Sequence, residues 1–539
     1  METLSMDQPI STTEKPVAGA VRAVAVIDIG STAVRLSIAE IGTDGTVRPL
    51  TSLQRAVHLG KDTFTSGVIQ PSTAAEVVSI LQTFRRTMKE YGITRDDQIR
   101  AVATSAVREA ENRDVFLDRL YMTTQINVEA IEGAEENRLT YIAVHDLFQK
   151  DAKLRKSDVA IVEVGGGSTE LILVRDGLIS FANTYRLGSL RMRETLETYR
   201  APADRARSLL GQHIKRTVDQ LRGTLADTEV TYMIAVSGDA RFAASLVEPA
   251  WDKQGMVRID IKTFVGVVND LVPVSVDELV RKYHIPYQEA ETIGPALLAY
   301  EHLARAFRVK QILVAGASQR DGLLKEIAVR GAWTSEFAEQ AVHSATLLAG
   351  KYGVNDGHSR QVSELCVKMF RELRAEHGLD ERFELLLRIA GLLHEVGVFV
   401  SDRSHHKHSM YLILNSDLFG LTRREITLIA LVARYHRRAM PRSYHTEYMS
   451  LDRDGRLVVA KLAAILRVAD CLDRKHLQDL KKIAFAWEKD QFVITVHDAV
   501  DLTLEQLGLK DKANLFEQIY GVKVVLRTAL DADEAMSHA

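Results

Sequence analysis

The sequence predicts a duplicated α/β core, followed by an all-α domain and a small α+β terminal piece. Residues 24–38 have the pattern of a strand, a Gly/Ser/Thr turn and a second strand, and the same design returns in residues 160–174. Helix and strand patterns alternate around both copies, which is typical of α/β architecture. After about Ala332 the strand patterns stop, and leucine-rich segments of helical period follow. The repeat therefore predicts two related lobes, and the change of pattern predicts a separate domain.

A chain of 539 residues is too long for one hydrophobic core, so several units are expected. Residues 1–20 are rich in Ser, Thr, Pro and acidic groups, which predicts a flexible tail. The predicted units that follow are the first lobe over residues 21–140, the second lobe over 141–331, the helical domain over 332–481 and the terminal piece over 482–539.

The elements of each unit follow from local patterns. Turns of small residues after buried strands, as in residues 232–238 and 311–316, stand where open sheets hold their ligands. The first lobe is predicted to continue with a helix over residues 74–91, a strand over 99–103, a helix over 113–120 and a strand over 127–131. The terminal piece is predicted to contain a strand region over residues 483–496, a helix over 513–519 and a strand over 522–526.

Composition and charge exclude several classes of protein. With 46% apolar and 26% charged residues, the chain is expected to fold rather than to stay disordered. Neither a bilayer-spanning apolar run nor a signal peptide is present in the sequence. A formal net charge of −3 disfavours nucleic acid as a partner, and two cysteines in helical patterns favour a reducing compartment. These features predict a cytoplasmic protein that binds neither membrane nor nucleic acid.

The two glycine turns have the composition of an anion-binding site. Glycine lets the backbone take unusual φ/ψ angles and bring several N–H groups toward one point, while Ser and Thr hydroxyls add donors. Two such turns facing each other would hold one phosphoryl group, and nearby carboxylates would hold a hydrated Mg²⁺. Asp28 is the first candidate metal ligand, and Glu163 or Glu170 is the second. The predicted phosphate-binding turn residues are Gly30, Ser31, Thr32, Gly165, Gly166, Gly167, Ser168 and Thr169.

Neither turn matches the common nucleotide-binding motifs. Residues 165–169 lack the Lys of a Walker A loop and lead into a strand, whereas a dinucleotide fingerprint needs a helix after its glycines. A single turn of this kind is more often a plain hairpin bend. Two copies with an acid and hydroxyls at matching places favour phosphate binding.

Two segments between the glycine turns, residues 104–110 and 132–138, follow predicted strands. Arg108 has the planar pair of donors that suits a phosphate. Either Glu135 or Glu136 could accept a proton from an attacking water. Both acids would also suit the first turn of a helix, where carboxylates interact favourably with the helix dipole. The spacing alone leaves the two interpretations open.

Together these segments resemble the exopolyphosphatase/guanosine pentaphosphate phosphatase (Ppx/GppA) family, long form. The match begins near Val24, and it includes residues 28–36 as the first phosphate motif and 165–170 as the second. Residues 237–238 and 316–324 resemble later turns of the family. The resemblance implies a duplicated actin-like, sugar-kinase-like core of the ribonuclease H-like type.

The resemblance also implies roles for individual residues. The family's general base is the second acid of a Gly-x-Glu-Glu motif, which falls on Glu136. Arg108 and Gly238 fall on positions expected to bind phosphate, and Glu170 falls on a metal-binding or water-orienting position. The expected catalytic residues are Glu136, Glu170 and Glu163, and the expected ligands of Mg²⁺ or Mn²⁺ are Asp28, Glu163 and Glu170.

One position departs from the family pattern, because Glu163 stands where members usually have Asp. The carboxylate is kept but reaches one methylene further, so the metal position and the rate are expected to change. An inactive relative that only binds the substrate is therefore an alternative.

The family's longer members have a helical domain related to HD phosphohydrolases, and residues 332–481 resemble it. An HD site places His and Asp side chains around a divalent metal. Here Glu395 replaces the Asp of the adjacent His-Asp pair, which implies a degenerate site. The residues that match this low-specificity pattern are His358, His394, Glu395, His408, His436 and Asp470.

The resemblance implies a homodimeric exopolyphosphatase that releases orthophosphate stepwise from inorganic polyphosphate. Hydrolysis of guanosine pentaphosphate (pppGpp) to the tetraphosphate (ppGpp) would use the same centre and is the first alternative. A phosphotransferase built on the same core and a non-catalytic sensor of polyphosphate or of these nucleotides are further alternatives from other classes.

Overall fold

The computed structural model describes residues 21–197, 200–225, 230–328, 335–473, 483–488, 490–497 and 501–529. The predicted tail over residues 1–20 lies outside the described residues. The strands are β1 (Arg22–Ile29), β2 (Ala33–Ile41), β3 (Val47–Ala56), β4 (Ile99–Ala103), β5 (Val128–Ala130), β6 (Val159–Val164), β7 (Thr169–Arg175), β8 (Leu178–Tyr185), β9 (Tyr232–Ala235), β10 (Met256–Asp260), β11 (Gln311–Ala315), β12 (Ile483–Glu488), β13 (Gln491–Val496) and β14 (Lys523–Thr528).

Helices surround these strands and form most of the chain after Ser335. In the two lobes they are α1 (Leu59–Ser66), α2 (Pro71–Glu90), α3 (Ser105–Arg108), α4 (Arg113–Thr124), α5 (Gly133–Lys150), α6 (Ala152–Arg155), α7 (Ser189–Thr195), α8 (Ala203–Leu225), α9 (Gly238–Val247), α10 (Ile261–Leu271), α11 (Val276–Tyr283), α12 (Tyr287–Ala306) and α13 (Gln319–Ala328). Beyond them are α14 (Ser335–Lys351), α15 (Asp356–Glu372), α16 (Arg374–His377), α17 (Arg382–Leu393), α18 (His405–Leu414), α19 (Arg423–Arg434), α20 (Thr446–Met449), α21 (Arg453–Leu472), α22 (Thr503–Lys512) and α23 (Asn514–Tyr520).

The first lobe is a five-stranded sheet in the order β3-β2-β1-β4-β5. Strand β1 pairs antiparallel with β2 and parallel with β4. Its run from Val24 to Ile27 is fully buried, because both faces of the sheet are covered. One face packs on α2 and α4 through residues such as Phe84, and the other packs on α5 and α13 through residues such as Leu139. This burial fixes the position of Asp28 at the end of β1.

The second lobe repeats this plan in a six-stranded sheet, in the order β10-β11-β9-β6-β7-β8. Strand β6 pairs antiparallel with β7 and parallel with β9, as β1 does with β2 and β4. The predicted duplication is confirmed. Where the lobes meet, α13 crosses α5 so closely that a Cβ at Gly322 would overlap the carbonyl of Leu139. The close crossing places the carboxyl ends of β1 and β6 on either side of one cleft.

The predicted boundary between residues 140 and 141 falls inside α5, a continuous helix that packs against both lobes. The other two predicted boundaries, after residues 331 and 481, lie outside the described residues.

The predicted helical domain contains α14 to α21. Its core is continuous with that of the terminal piece, because Phe492 and Phe516 belong to the same buried cluster as Leu466. Residues 483–496 form two antiparallel strands, and β14 completes a sheet in the order β12-β13-β14. The expectation of one strand region followed by one helix was therefore too simple, since α22 precedes the predicted helix. Within the described ranges, every helix is too short or too polar to cross a membrane.

Candidate active site

The two glycine turns face each other across the cleft between the lobes. A Cβ added at Gly166 would lie 3.0 Å from the Cβ of Ser31 and 3.7 Å from the Cγ2 of Thr32. Residues 30–32 of the first lobe and 165–168 of the second are therefore within side-chain contact distance. We call this pair of turns the clasp.

Close packing, rather than unusual backbone angles, explains the glycines of the clasp. None of Gly30, Gly165, Gly166 and Gly167 has a positive φ. Instead, a Cβ at Gly167 would overlap the Oγ of Ser105. Gly188, which the sequence reasoning missed, packs so closely on the backbone of Gly167 that a Cβ there would overlap it.

The clasp presents several backbone donors to the cleft. The N–H of Gly30 donates to Ala33 O at 3.0 Å, and that of Gly165 donates to Ser168 O at 2.9 Å. Backbone N–H groups that have no backbone acceptor within the described ranges are those of Ser31, Thr32, Gly166, Gly167 and Ser168. Such a set of converging N–H groups can bind the oxygens of an anion.

A cavity of about 400 Å³ contains the clasp and most of the predicted site. Thr169 lies outside it, because its hydroxyl points away and donates to Leu187 O at 2.6 Å. Arg108 does not line the cavity, but it donates a hydrogen bond to Glu136, which does. The predicted residues that line the cavity are Asp28, Gly30, Ser31, Thr32, Glu136, Glu163, Gly165, Gly166, Gly167, Ser168, Glu170 and Gly238.

Six carboxylates line this cavity, and four of them are close enough to act on one another's charge: Asp28, Glu136, Glu163 and Glu170. Burial, and the charges of Glu136 and Glu163, raise the pKa of Glu170 well above its ordinary value. Burial, and the charges of Glu136 and Asp28, raise the pKa of Glu163 to about 7, although a hydrogen bond from Thr140 opposes the shift. The acids therefore repel one another in a buried place, which favours a bound cation.

The chemistry of these carboxylates suits a divalent metal ion, although in the described chain the ligand atoms of Asp28, Glu163 and Glu170 do not all lie within 4.8 Å of one another. The Oε1 of Glu170 is buried and has no hydrogen-bond partner within the described chain. Carboxylate oxygens are the ligands that Mg²⁺ and Mn²⁺ prefer. Asp28, Glu163 and Glu170 could thus hold the ion.

Glu135 and Glu136 point in opposite directions, which separates the two interpretations of this pair. Glu135 is bound by Arg100 at 3.1 Å, and it also lies 3.8 Å from Arg138. Glu136 lines the clasp cavity and accepts a hydrogen bond from Nη1 of Arg108. Burial raises the pKa of Glu136, and the charge of Arg108 opposes that shift. Glu136 is thus the acid of the pair that faces the cleft.

The two hairpins differ in the residue that lies opposite the strand-end acid on the neighbouring strand. Asp28 pairs in register with Arg35 across β1 and β2, whereas Glu163 pairs with Glu170 across β6 and β7. Arg35 lines the cavity and lies 3.6 Å from Asp28. The alternation of side chains along β2 was the signal that could have placed Arg35 in the site. Other cations of the cavity, which no sequence pattern indicated, are Arg241, Lys253 and Arg320.

The structure assembles only part of the predicted HD-like site. Ligand atoms of His358, His394 and Asp470 lie within 4.8 Å of one another. The ring of His436 packs on His394 with centroids 5.1 Å apart. Lys512 donates a hydrogen bond to Oδ2 of Asp470, whereas Oδ1 of Asp470 lies 3.6 Å from Nε2 of both His358 and His394.

Two predicted residues of the HD-like site, Glu395 and His408, are not part of that group of three. Glu395 follows His394 directly, and successive side chains of a helical turn point about 100° apart. The side chains of His394 and Glu395 therefore point in different directions. His405 contacts His436 instead of His408, with 3.1 Å between their Nε2 atoms. His408 lies three residues, about 4.5 Å, further along the axis of α18.

The fold and the clasp define a class: a two-lobed phosphate-handling protein with an actin-like core. Comparisons with known proteins agree. Residues 37–330 match the model of the Ppx/GppA phosphatase family, and residues 342–519 match that of Ppx/GppA phosphatase, domain III. The chain belongs to the Ppx/GppA phosphatase family.

Two relatives and one solved structure illustrate what this chain is similar to. A guanosine-5'-triphosphate,3'-diphosphate pyrophosphatase of Photobacterium profundum is 23% identical over 479 residues, which are 84% of this chain and 88% of the relative. One of the same description from Vibrio campbellii is 22% identical over 90% of this chain and 95% of the relative. An exopolyphosphatase structure from Cytophaga hutchinsonii is 23% identical, with a TM-score of 0.52 over 57% of this chain and 98% of its own. This last likeness supports the fold, and the predicted actin-like core, helical domain and terminal piece are confirmed.

Proposed function

We propose that this chain is an exopolyphosphatase, which hydrolyses the terminal phosphoanhydride bond of inorganic polyphosphate and releases orthophosphate. One observation carries the proposal: the two turns of the clasp face each other, and the buried carboxylate of Glu136 opens into the same cavity. Unpaired N–H groups of the turns bind the oxygens of the terminal phosphoryl group. A phosphoryl group held in this way is fixed for attack by water.

The chemistry assigned to the residues is a simple displacement. A water oxygen bonds to the terminal phosphorus while Glu136 accepts the water proton, and the bond from phosphorus to the bridging oxygen breaks. The shortened chain leaves with that oxygen. Burial raises the pKa of Glu136, which brings the carboxylate closer to the working pH of a general base. Arg108 orients the carboxylate through its ion pair.

Mg²⁺ or Mn²⁺ would be held by Asp28, Glu163 and Glu170, and would supply positive charge against the phosphate oxygens. The four carboxylates would otherwise repel the anionic substrate. Their position beside the clasp therefore makes activity dependent on the cation.

Hydrolysis of pppGpp is the second candidate. The relatives from Photobacterium profundum and Vibrio campbellii are described as acting on that nucleotide. In the outer part of the cavity, Phe242 packs edge-on against Tyr283, and its ring offers an apolar surface to a base. The same catalytic carboxylate would serve both substrates.

Orthophosphate release from long polyphosphate and from pppGpp, each with Mg²⁺, tests the proposal. Glu136→Gln is expected to lower kcat by a factor of about 10² to 10⁴, because it removes the proton acceptor. Glu135→Gln is the matched control, since Glu135 binds Arg100 outside the clasp, and it should keep the parental rate. Tight binding without turnover by the parent would support a sensor, and nucleotide-dependent phosphorylation of a small acceptor would support a phosphotransferase; either result refutes the proposal.

A further inference from the structure

Three cations of the second lobe, Arg241, Lys253 and Arg320, form one side of the clasp cavity. We call them the cationic wall. The same three side chains line an adjacent cavity of about 380 Å³, between the second lobe and strands β2 and β3. The cationic wall therefore joins the clasp cavity to the adjacent cavity.

In the part of the chain that the structure describes, the acids nearest the cationic wall act on it without direct ion pairs. Arg241 donates to the carbonyl of Ala317 at 2.9 Å, and Nε of Arg320 is buried without a hydrogen-bond partner in the described chain. None of the three forms an ion pair with a carboxylate among the described residues. Burial lowers the pKa of both guanidinium groups, and the charge of Glu163 on Arg241 and that of Asp28 on Arg320 oppose the shift with a smaller effect. Buried guanidinium groups are costly unless an anion binds them.

The backbone holds the cationic wall in place. Arg241 lies in the first turn of α9, and Arg320 lies at the start of α13. Lys253 has a φ of 63°, a left-handed conformation that is unusual for a residue with a side chain. Its loop rests on Gly316, where a Cβ would overlap the carbonyl oxygen of Lys253. Strained, well-supported backbone of this kind often occurs at ligand-binding positions.

The adjacent cavity has the wrong lining for a nucleoside and a suitable one for phosphates. Its acid, Asp321, already accepts hydrogen bonds from the N–H and hydroxyl of Ser318, at 2.7 and 2.8 Å. None of the described residues around it is aromatic, so a base would find no ring to stack on. From the first lobe it is lined by Ser37, Ile38, Pro49, Leu50, Thr51 and Ser52.

We infer that the cationic wall binds the phosphates that follow the terminal one, and that the polyphosphate chain continues from there into the adjacent cavity. The inference rests on the proposed function, because the clasp must hold the terminal phosphate. A polyphosphate chain carries a negative charge on every unit, so it can satisfy all three cations. In pppGpp the chain ends in a nucleoside, which the adjacent cavity does not suit. The adjacent cavity would thus serve long polyphosphate and not pppGpp, whose base would lie against Phe242 in the clasp cavity.

Arg241→Gln and Arg320→Gln test the cationic wall, and Arg258→Gln is the matched control. Arg258 lies in β10 of the same lobe and is paired with Asp151 instead. Each wall variant is expected to raise KM for long polyphosphate about tenfold with little change in kcat, because a hydrogen bond to a charged group is lost. Binding of long polyphosphate to the same variants in a Glu136→Gln background gives a readout without turnover. The wall variants should bind about tenfold more weakly there, and with less dependence on salt.

Ser52→Trp tests the adjacent cavity and leaves the cationic wall intact. Ser52 is exposed on β3, so the variant is expected to fold even if an arginine variant does not. It should raise KM for long polyphosphate several-fold and leave KM for pppGpp unchanged. An equal effect on both substrates, or wall variants that behave like Arg258→Gln, would overturn the inference. A parent that binds polyphosphate through the wall but does not hydrolyse it would refute the proposed function alone.

Discussion

Glu163 is expected to make the protein less stable as the pH rises toward neutrality, unless a divalent cation is bound. Burial and neighbouring acids raise its pKa from the ordinary 4.5 to about 7. Between these two values the folded protein holds the proton that the unfolded chain has released. The folded state therefore binds more protons, and the free energy of unfolding falls as the pH rises from about 4.5 to about 7.

The size of this effect follows from the shift. A change in pKa from 4.5 to about 7 corresponds to about 3 kcal/mol, since one unit is worth about 1.4 kcal/mol. Glu163→Gln removes the charge and keeps an oxygen that can accept the hydrogen bond from Thr140. Without metal, the variant should therefore be more stable than the parent by up to about 3 kcal/mol above pH 7, and equal to it near pH 4.5.

Thermal unfolding between pH 4.5 and 8, in EDTA and in saturating Mg²⁺, measures the prediction. A difference of about 3 kcal/mol corresponds to a shift in Tm of several degrees in a protein of this size. Mg²⁺ should reverse the order of the two proteins, because it binds the folded parent through its carboxylates. Glu76→Gln, an exposed acid on α2, is the control. Identical pH profiles for the parent and Glu163→Gln in EDTA would refute the reasoning.

Two further changes test the geometry of the clasp. Gly188→Ala should lower kcat/KM at least tenfold, because the new Cβ overlaps the backbone of Gly167 and displaces the turn. Gly266→Ala is the control, since a Cβ there meets no atom within 4 Å, and it should leave kcat/KM unchanged. Arg108→Gln removes the cation that opposes the raised pKa of Glu136, so the acidic limb of the pH profile of kcat/KM should move to higher pH, and an unmoved limb would contradict the role of the ion pair.

Much of the fold could be predicted because its signals are local. A buried apolar run, a turn and a second strand appear twice in the sequence, and the two sheets repeat that pairing. The terminal hairpin was missed because only two residues separate β12 from β13. The polar residues at 488–491 were the signal that could have indicated two strands. The boundary within α5 was also hidden, since a helix shared by two lobes has no change of composition at their junction.

The candidate site could be predicted where chemistry lies next to a strand end, as for Asp28 and Glu136. The cationic wall could not, because Arg241 and Arg320 come from helices far apart in the sequence and line one cavity only in the folded chain. Thr169 shows the opposite error. It belongs to the glycine motif by position, but it is the first residue of β7, and its hydroxyl is used to hold Leu187.

The two clusters of buried ionisable groups differ in how their charges are balanced. In the helical domain Lys512 binds Asp470, and hydrogen bonds to Asp470 and Asp473 overcome the effect of burial and raise the pKa of His358 to about 9. A metal there would have to displace the proton of His358, because an imidazole ligand must be neutral.

In the clasp the excess charge is negative, and the Oε1 of Glu170 has no hydrogen-bond partner in the described chain. A divalent cation would relieve the repulsion among these acids, whereas it would create repulsion beside Lys512. Charge balance therefore favours a cation at the clasp, whereas ligand spacing favours His358, His394 and Asp470, whose ligand atoms lie within 4.8 Å of one another in the described chain.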